Sequence, residues 1–368
     1  MKKLIIALCC IPLLSIAQQK SSGTEIKNVI VITSDGLRWE EVFKGMDAVI
    51  NANHRFNQGH EDSAATSKTY WAETETERRK KLMPFFWNTI VAKGQLYGNR
   101  SLNNKVDVAN PYWFSYPGYN EIFTGYPDTA VNSNEYMPNP HTTVLEFINQ
   151  QPAFKGKVAA FGAWEAFDRI INKERCGFPV VAAFNPTTGN NLSAKQKLIN
   201  DMLKDSFKPF GTAECLDVFT HYAAMEYLQQ KKPRVLYISY GETDEWAHAG
   251  RYKNYLDAVN QVDNWIKDIW NFVQSTPEYK DKTAILITCD HGRGDKIKEE
   301  WTSHGSEISD SHEIWMAIMG PGLPAKGEVK TEGQLYQKQF AQTIASLLGL
   351  KYTATHPIAD AVKEVKQK

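Results

Sequence analysis

Cysteine is scarce in this chain, with five residues in 368. Two of them, Cys9 and Cys10, lie in the leading segment, so only Cys176, Cys215 and Cys289 remain for the body of the protein. A single Cys176–Cys215 bridge stays open in an oxidising compartment. Cys289 sits in an apolar run and reads as a buried core thiol. Net charge is also missing, since 42 Lys and Arg balance 42 Asp and Glu. That argues against binding to nucleic-acid duplexes or to anionic membranes, which calls for a basic excess. Long hydrophobic runs are absent too. The apolar stretch at residues 4–14 falls short of the ~20 residues that a membrane-spanning helix needs. There is no internal repeat and no low-complexity tract.

The leading segment has the layout of a signal peptide. Met1-Lys2-Lys3 precedes the apolar run, and Ser15-Ile16-Ala17 offers a small-residue cleavage site. Cleavage after Ala17 leaves a mature chain of residues 18–368, bound for secretion or the periplasm. Lipid attachment at Cys9 or Cys10 is disfavoured, because Leu8 precedes Cys9 and the run before it is very short.

The mature length suits one α/β domain carrying insertions. Short apolar runs at 29–33, 158–161, 235–239, 284–288 and 314–319 read as buried strands of a mostly parallel central sheet. Helical patterns at 216–230, 255–273 and 339–348 lie between and after them, and imply helices on both faces of the sheet. In the second of these, Val259, Val262, Ile266 and Ile269 share one face. Residues 51–81 and 184–208 break the rhythm and read as surface insertions near a substrate pocket.

Polar residues gather where strands end. The first strand runs into Ser34-Asp35-Gly36. The third runs into Gly241-Glu242-Thr243-Asp244, with His248 four residues on. The fourth runs into Cys289-Asp290-His291-Gly292. Ligands of open α/β sheets bind at the carboxyl ends of strands. Taken singly, Asp35 reads as a turn or cap residue, Asp244 and His248 as a helix-surface pair, and His304 as a loop histidine. Together they supply three carboxylates and three imidazoles, the O and N donors that zinc accepts. Ser115, in Trp113-Phe114-Ser115-Tyr116-Pro117-Gly118-Tyr119, is a candidate nucleophile at the start of a short helix ended by Gly125. Its plain reading is a helix cap; metal coordination would activate its hydroxyl.

In this order the motifs resemble the alkaline phosphatase superfamily, closest to its nucleotide pyrophosphatase/phosphodiesterase branch. Asp35-Gly36-Leu37-Arg38-Trp39 resembles the first metal motif of that branch, and Ser115-Tyr116-Pro117 its Thr-Phe-Pro nucleophile motif. Thr124-Gly125 and Tyr126-Pro127-Asp128 continue the match. Asn134 falls near the phosphate-binding Asn. Asp244 to His248 resembles the Asp-x-x-x-His motif, and Asp290-His291-Gly292 a hallmark of the superfamily. His304-Gly305, followed by Gly320-Pro321, resembles the last His ligand and its strand.

The resemblance implies an alkaline-phosphatase-like fold holding two divalent metal ions, zinc by donor type. Asp244, His248 and His304 would hold one. Asp35, Asp290 and His291 would hold the other, with Ser115 on it. His312 rivals His304 as the last ligand. The implied activity is hydrolysis of phosphoric esters on a small phosphorylated substrate, through a phosphoseryl intermediate. Asn134 and the backbone N–H groups after Ser115 would bind the non-bridging oxygens. Trp39, Tyr116 or Trp246 would stack a base or aromatic leaving group. Some features depart from the family pattern. Ser stands where the nearest branch has Thr, and the substrate-binding Arg of bacterial alkaline phosphatases is missing. The sulfatase signature is absent, with Tyr119 at its Arg position. Monoester and diester both stay open, as does the oligomeric state. The alternatives are a phosphonate hydrolase, or a secreted non-catalytic binding module on a retired hydrolase fold.

Overall fold

The computed structural model describes residues 25–57 and 60–366. The leading segment read as a signal peptide, with Cys9 and Cys10, lies outside the described residues.

Strands form where β-branched and apolar residues run together. In chain order they are β1 (Asn28–Ser34), β2 (Gln95–Tyr97), β3 (Asn104–Asp107), β4 (Val158–Gly162), β5 (Val180–Ala182), β6 (Val235–Tyr240), β7 (Thr283–Thr288), β8 (Glu313–Ile314), β9 (Met316–Met319), β10 (Gly327–Glu328) and β11 (Gly333–Tyr336). The main sheet has the order β10-β2-β9-β7-β1-β6-β4-β5, and a small one has β11-β3-β8. In the main sheet β9 pairs antiparallel with both neighbours, and every other pairing is parallel. β1, β6 and β7 are buried along their whole length. Both faces are covered, which is why these strands read as continuous apolar runs rather than alternating ones. This is the α/β architecture expected from the sequence.

One expected strand divides. Residues 314–319 break at the fully buried Trp315, whose Nε1 donates to the Leu37 carbonyl at 3.0 Å. Before the break, β8 joins the small sheet through β3. After it, β9 enters the main sheet between β2 and β7.

The long helix Tyr252–Ser275 buries Val259, Val262, Ile266 and Ile269 on one face, each side chain contributing about 1.5–3 kcal/mol. The helix Asp217–Lys231 stops at Lys232, which takes a left-handed conformation just before Pro233. The two arrhythmic segments are more ordered than their composition suggests. Within 51–81 lie the helices His60–Tyr70 and Glu75–Leu82, the latter opened by a Thr74–Glu77 capping box. They turn few side chains inward (Thr66, Tyr70 and Leu82 among them), so no apolar period is visible. Within 184–208 the helix Ala194–Asp205 opens on a Ser193–Gln196 capping box.

The Cys176–Cys215 bridge is not formed. Both are free thiols, and their sulfurs face other partners: Cys176 the carbonyls of Lys173 and Phe178, Cys215 the hydroxyl of Thr220. Cys289 is a free thiol in the core, as expected. No described helix is long and apolar enough to cross a membrane.

Glu121 fixes the approach to the helix Ser115–Thr124. Its fully buried carboxylate accepts N–H bonds from Ala109, Asn110 and Lys338, and a further one from the Asn110 side chain. It thereby ties the segment before Ser115 to the helix after it and to the C-terminal region. A Gln there would turn an NH2 group against N–H donors. Glu121→Gln should lower unfolding stability by about 2–3 kcal/mol, the cost of leaving buried donors unpaired, as read from urea denaturation midpoints.

Candidate metal centre

β7, β1 and β6 are adjacent and parallel, so their carboxyl ends open at one edge of the sheet. Asp35 follows β1, Asp290 and His291 follow β7, and Asp244 sits on the helix Glu242–His248 that starts after β6. Gly36 turns the chain after Asp35 with φ +57°, and its N–H donates to Asp290 Oδ1 at 3.0 Å. A Cβ at Gly36 would stand 2.6 Å from Asp244 Oδ1, so glycine is required both for the conformation and for the space. Asp35 is held by Tyr119 Oη, which donates to Oδ2 at 2.9 Å, and by Thr243 Oγ1, which donates to its carbonyl at 2.5 Å.

Asp35, Asp290 and His291 are all buried, with their ligand atoms within 4.8 Å of one another. His291 Nε2 lies 3.3 Å from Asp35 Oδ1 and 3.5 Å from Asp290 Oδ2. Its Nδ1 is 2.9 Å from the Gly292 carbonyl, an acceptor only, so Nδ1 carries a proton and Nε2 faces the cluster. Beside this group, His248 Nε2 lies 3.0 Å from both Asp244 Oδ2 and His304 Nε2. His304 Nε2 is 3.8 Å from Asp244 Oδ1. The spacing of four residues on one helix puts Asp244 and His248 on the same face. His291 also reaches Asp244 and His304, so the two groups form one continuous cluster. His312 lies apart from it, 3.9 Å from Asp107 and with its ring 5.0 Å from that of Trp113.

Ser115 opens the helix Ser115–Thr124, with Oγ 3.3 Å from His291 Nε2 and 3.5 Å from Asp35 Oδ1. Trp113, two residues earlier, has φ +55°, a conformation costly for a residue with a large side chain. The N–H groups expected to be free after Ser115 are not. That of Tyr116 donates to Asn134 Oδ1 at 3.0 Å, Pro117 has none, and that of Gly118 donates to the Phe114 carbonyl. Asn134 thus stands beside the helix Ser115–Thr124 as a cap, and the group it can still offer is its Nδ2. The expected aromatic stacking is also restricted. Trp39 and Tyr116 are buried, the first donating to Glu313 and the second to the Met137 carbonyl. Trp246 alone of the three is half-exposed, packed edge-on against Phe210.

Two groups near the centre escaped the sequence reading. Arg293, directly after Asp290-His291-Gly292, is buried against Asp244. A cation directly after the ligand-type pair Asp290 and His291 was the available signal. Glu214, from the segment before the helix Asp217–Lys231, is pushed well above the usual carboxylate range by burial and by Glu245 and Asp35.

The donor set fits divalent metal ions. Asp290 Oδ2 and His304 Nδ1 are buried without hydrogen-bond partners. Burial and the nearby His291 charge hold His304 well below the usual imidazole range, so it is a neutral ligand. Without metal, Asp290 and His291 hold protons. Asp290 is pushed well above its usual range by burial and by Asp35. Burial alone would lower His291, but Asp290, Asp35 and Asp244 outweigh it and raise it to about 9. Metal must displace these protons. Uptake at Asp35–Asp290–His291 should therefore weaken as pH falls below about 9, by about tenfold per pH unit for each proton released. Chelator competition at several pH values measures this.

Residues 216–352, which include Asp244, His248, Asp290, His291 and His304, match the model of the Metalloenzyme superfamily. No curated protein matches the sequence. Among solved structures, the wild-type alkaline phosphatase PafA is similar with a TM-score of 0.60 and 11% identity, over 93% of this chain and 99% of that one. The 2-O GAG sulfatase BT1596 is similar at 0.57 and 12% identity, over 93% and 74%. The lipoteichoic acid synthase LtaP from Listeria monocytogenes is similar at 0.52 and 12% identity, over 89% and 73%. The chain has the alkaline-phosphatase-like fold, and its residues 216–352 match the Metalloenzyme superfamily model; neither finding singles out the nucleotide pyrophosphatase/phosphodiesterase branch.

Proposed function

We propose that the protein is a metal-dependent hydrolase of phosphoric esters with Ser115 as nucleophile. The observation that carries this reading is the place of Ser115 Oγ, within 3.5 Å of both His291 Nε2 and Asp35 Oδ1 at the start of its helix. Asp35, Asp290 and His291 on one side, and Asp244, His248 and His304 on the other, would each hold a divalent ion, zinc by the imidazole–carboxylate set, supplying Lewis acidity and positive charge for the phosphoryl oxygens.

Ser115 Oγ attacks phosphorus and the bond to the leaving oxygen breaks. The leaving oxygen takes up the proton that Ser115 gave to Asp35, so the products are a phosphoseryl enzyme and a free alcohol. Water then attacks the same phosphorus, returns the Ser115 hydroxyl and releases the phosphate product. Asp35, fixed by Tyr119 and Thr243, keeps Oγ in place and accepts its proton. Asn134 Nδ2 and the Ser115 N–H face the non-bridging oxygens.

Diesters suit this site better than monoesters. Arg293 is engaged by Asp244, and Arg169 by Glu165 and the carbonyls of Asn134 and Tyr136. Neither guanidinium is free to meet the second charge of a monoester. A single charge on the transferred group is also the condition of a sulfate monoester, so sulfate belongs in the test. The segment at residues 1–17 fits export, and the site would act outside the cytoplasm.

The zinc-loaded protein should hydrolyse bis-p-nitrophenyl phosphate or p-nitrophenyl thymidine monophosphate faster than p-nitrophenyl phosphate. Ser115→Ala should lose about 10³-fold or more in turnover while keeping its metal, as read by elemental analysis. Undiminished turnover in that variant would remove Ser115 from its role. Turnover of p-nitrophenyl sulfate alone would move the reading to sulfate esters.

A further inference from the structure

Arg293 is a large cation sealed into the centre. Its side chain is fully buried, yet nothing in the proposed reaction uses it. Nη2 makes a short contact with Asp244 Oδ1 and lies 3.2 Å from the Asp244 main-chain oxygen. Nη1 lies 3.5 Å from the Trp301 carbonyl, and Nε has no partner. Trp301 is itself wedged among Phe56, Tyr252 and Tyr255, three residues before His304. The turn after β1 leaves room for this pair, since a Cβ at Gly36 would stand 3.0 Å from Arg293 Nε and 2.6 Å from Asp244 Oδ1. One guanidinium thus touches three segments that carry ligand-type residues: the one after β7, the helix of Asp244, and the loop of His304.

We infer that Arg293 is a positioning residue that engages Oδ1 of Asp244 and leaves the carboxylate only Oδ2 to give to a metal ion. Oδ2 is the oxygen that lies 3.0 Å from His248 Nε2, whereas Oδ1, the oxygen Arg293 holds, lies near both His291 and His304, at 3.7 and 3.8 Å from their Nε2 atoms. The inference rests on the two-metal reading of the centre. A fork-shaped donor can hold a side-chain oxygen and two main-chain carbonyls at once, which an ammonium cannot do. The carboxylate is therefore oriented before any metal arrives. Charge also separates the two positions. Asp35, Asp290 and a neutral His291 sum to −2. Asp244, two neutral imidazoles and Arg293 sum to 0. The ion at Asp244 is thus the weaker and more exchangeable of the two.

Zinc titration of the metal-free protein against a competing chelator tests this, with Co²⁺ absorption as a second readout. Wild type should bind two ions of unequal affinity. Arg293→Met should weaken the looser ion by about 10–100-fold, the usual effect of removing a group that orients a ligand, and leave the tighter one within about threefold. Arg293→Lys should restore little of the loss, because it returns the charge and not the fork. The Co²⁺ spectrum of Arg293→Met should lose intensity as a freed Asp244 coordinates through both oxygens. Equal weakening of both ions, alongside a lowered Tm, would make Arg293 only a structural residue. Unchanged affinities and spectrum would overturn the inference outright. Fewer than two ions in wild type would instead refute the two-metal reading.

Discussion

The centre depends on three adjacent parallel strands ending at one edge. β7, β1 and β6 deliver Asp290, Asp35 and Asp244 within a few ångströms of one another. Asp35 and Asp290 are out of water and Asp244 is largely so, and like charges so placed resist ionisation. The cluster tolerates this through fixed donors: Gly36 N–H on Asp290, Tyr119 on Asp35, Arg293 on Asp244. These donors orient the oxygens but do not neutralise all the charge. Asp290 and His291 accordingly retain protons. A folded site that holds competing protons and orphaned lone pairs is suited to divalent cations, which supply the missing charge.

A second charged network supports the first from below. Arg38, fully buried, makes a bidentate pair with Glu41 and donates to the Gly294 carbonyl. Tyr252 and Tyr255 donate to the same Glu41 carboxylate. The turn after β1 is thus joined to the loop carrying His304 by Arg38 at Gly294, while Arg293 ties Trp301 of that same loop to the helix of Asp244. Such pairs add little stability once desolvation is counted. Their effect here is geometric, holding a long loop against a strand end.

Much of the fold was legible because buried parallel strands leave continuous apolar runs. The runs at 29–33, 158–161, 235–239 and 284–288 all lie within strands. The run at 314–319 misled because the break at Trp315 is set by a change of sheet, a tertiary event without a local signal. The helices within 51–81 were invisible because they bury too few apolar side chains to show a period. At the site, Asp-His-Gly after a strand and Asp-x-x-x-His on a helix place ligands by local geometry, and the chain brings them together. Arg293 was missed because a single Arg in a loop ordinarily reads as surface. The use of Asn134 as a cap on Tyr116 depends on where a distant loop folds back.

The reversal of β9 has a consequence for how this region tolerates change. A parallel strand after β7 would send the connecting chain to the far edge of the sheet before it could return. Because β9 runs antiparallel, the chain from Cys289 to Trp315 leaves and re-enters at the same edge. That excursion supplies Asp290, His291, Arg293 and His304 on the side of the sheet where the ligand-type residues gather. Residues can be added at the exposed Lys296 and Ile297, between Gly294 and the buried Trp301, without shifting the register of either strand. This stretch is the natural place for the architecture to vary its substrate while the sheet and ligands stay fixed.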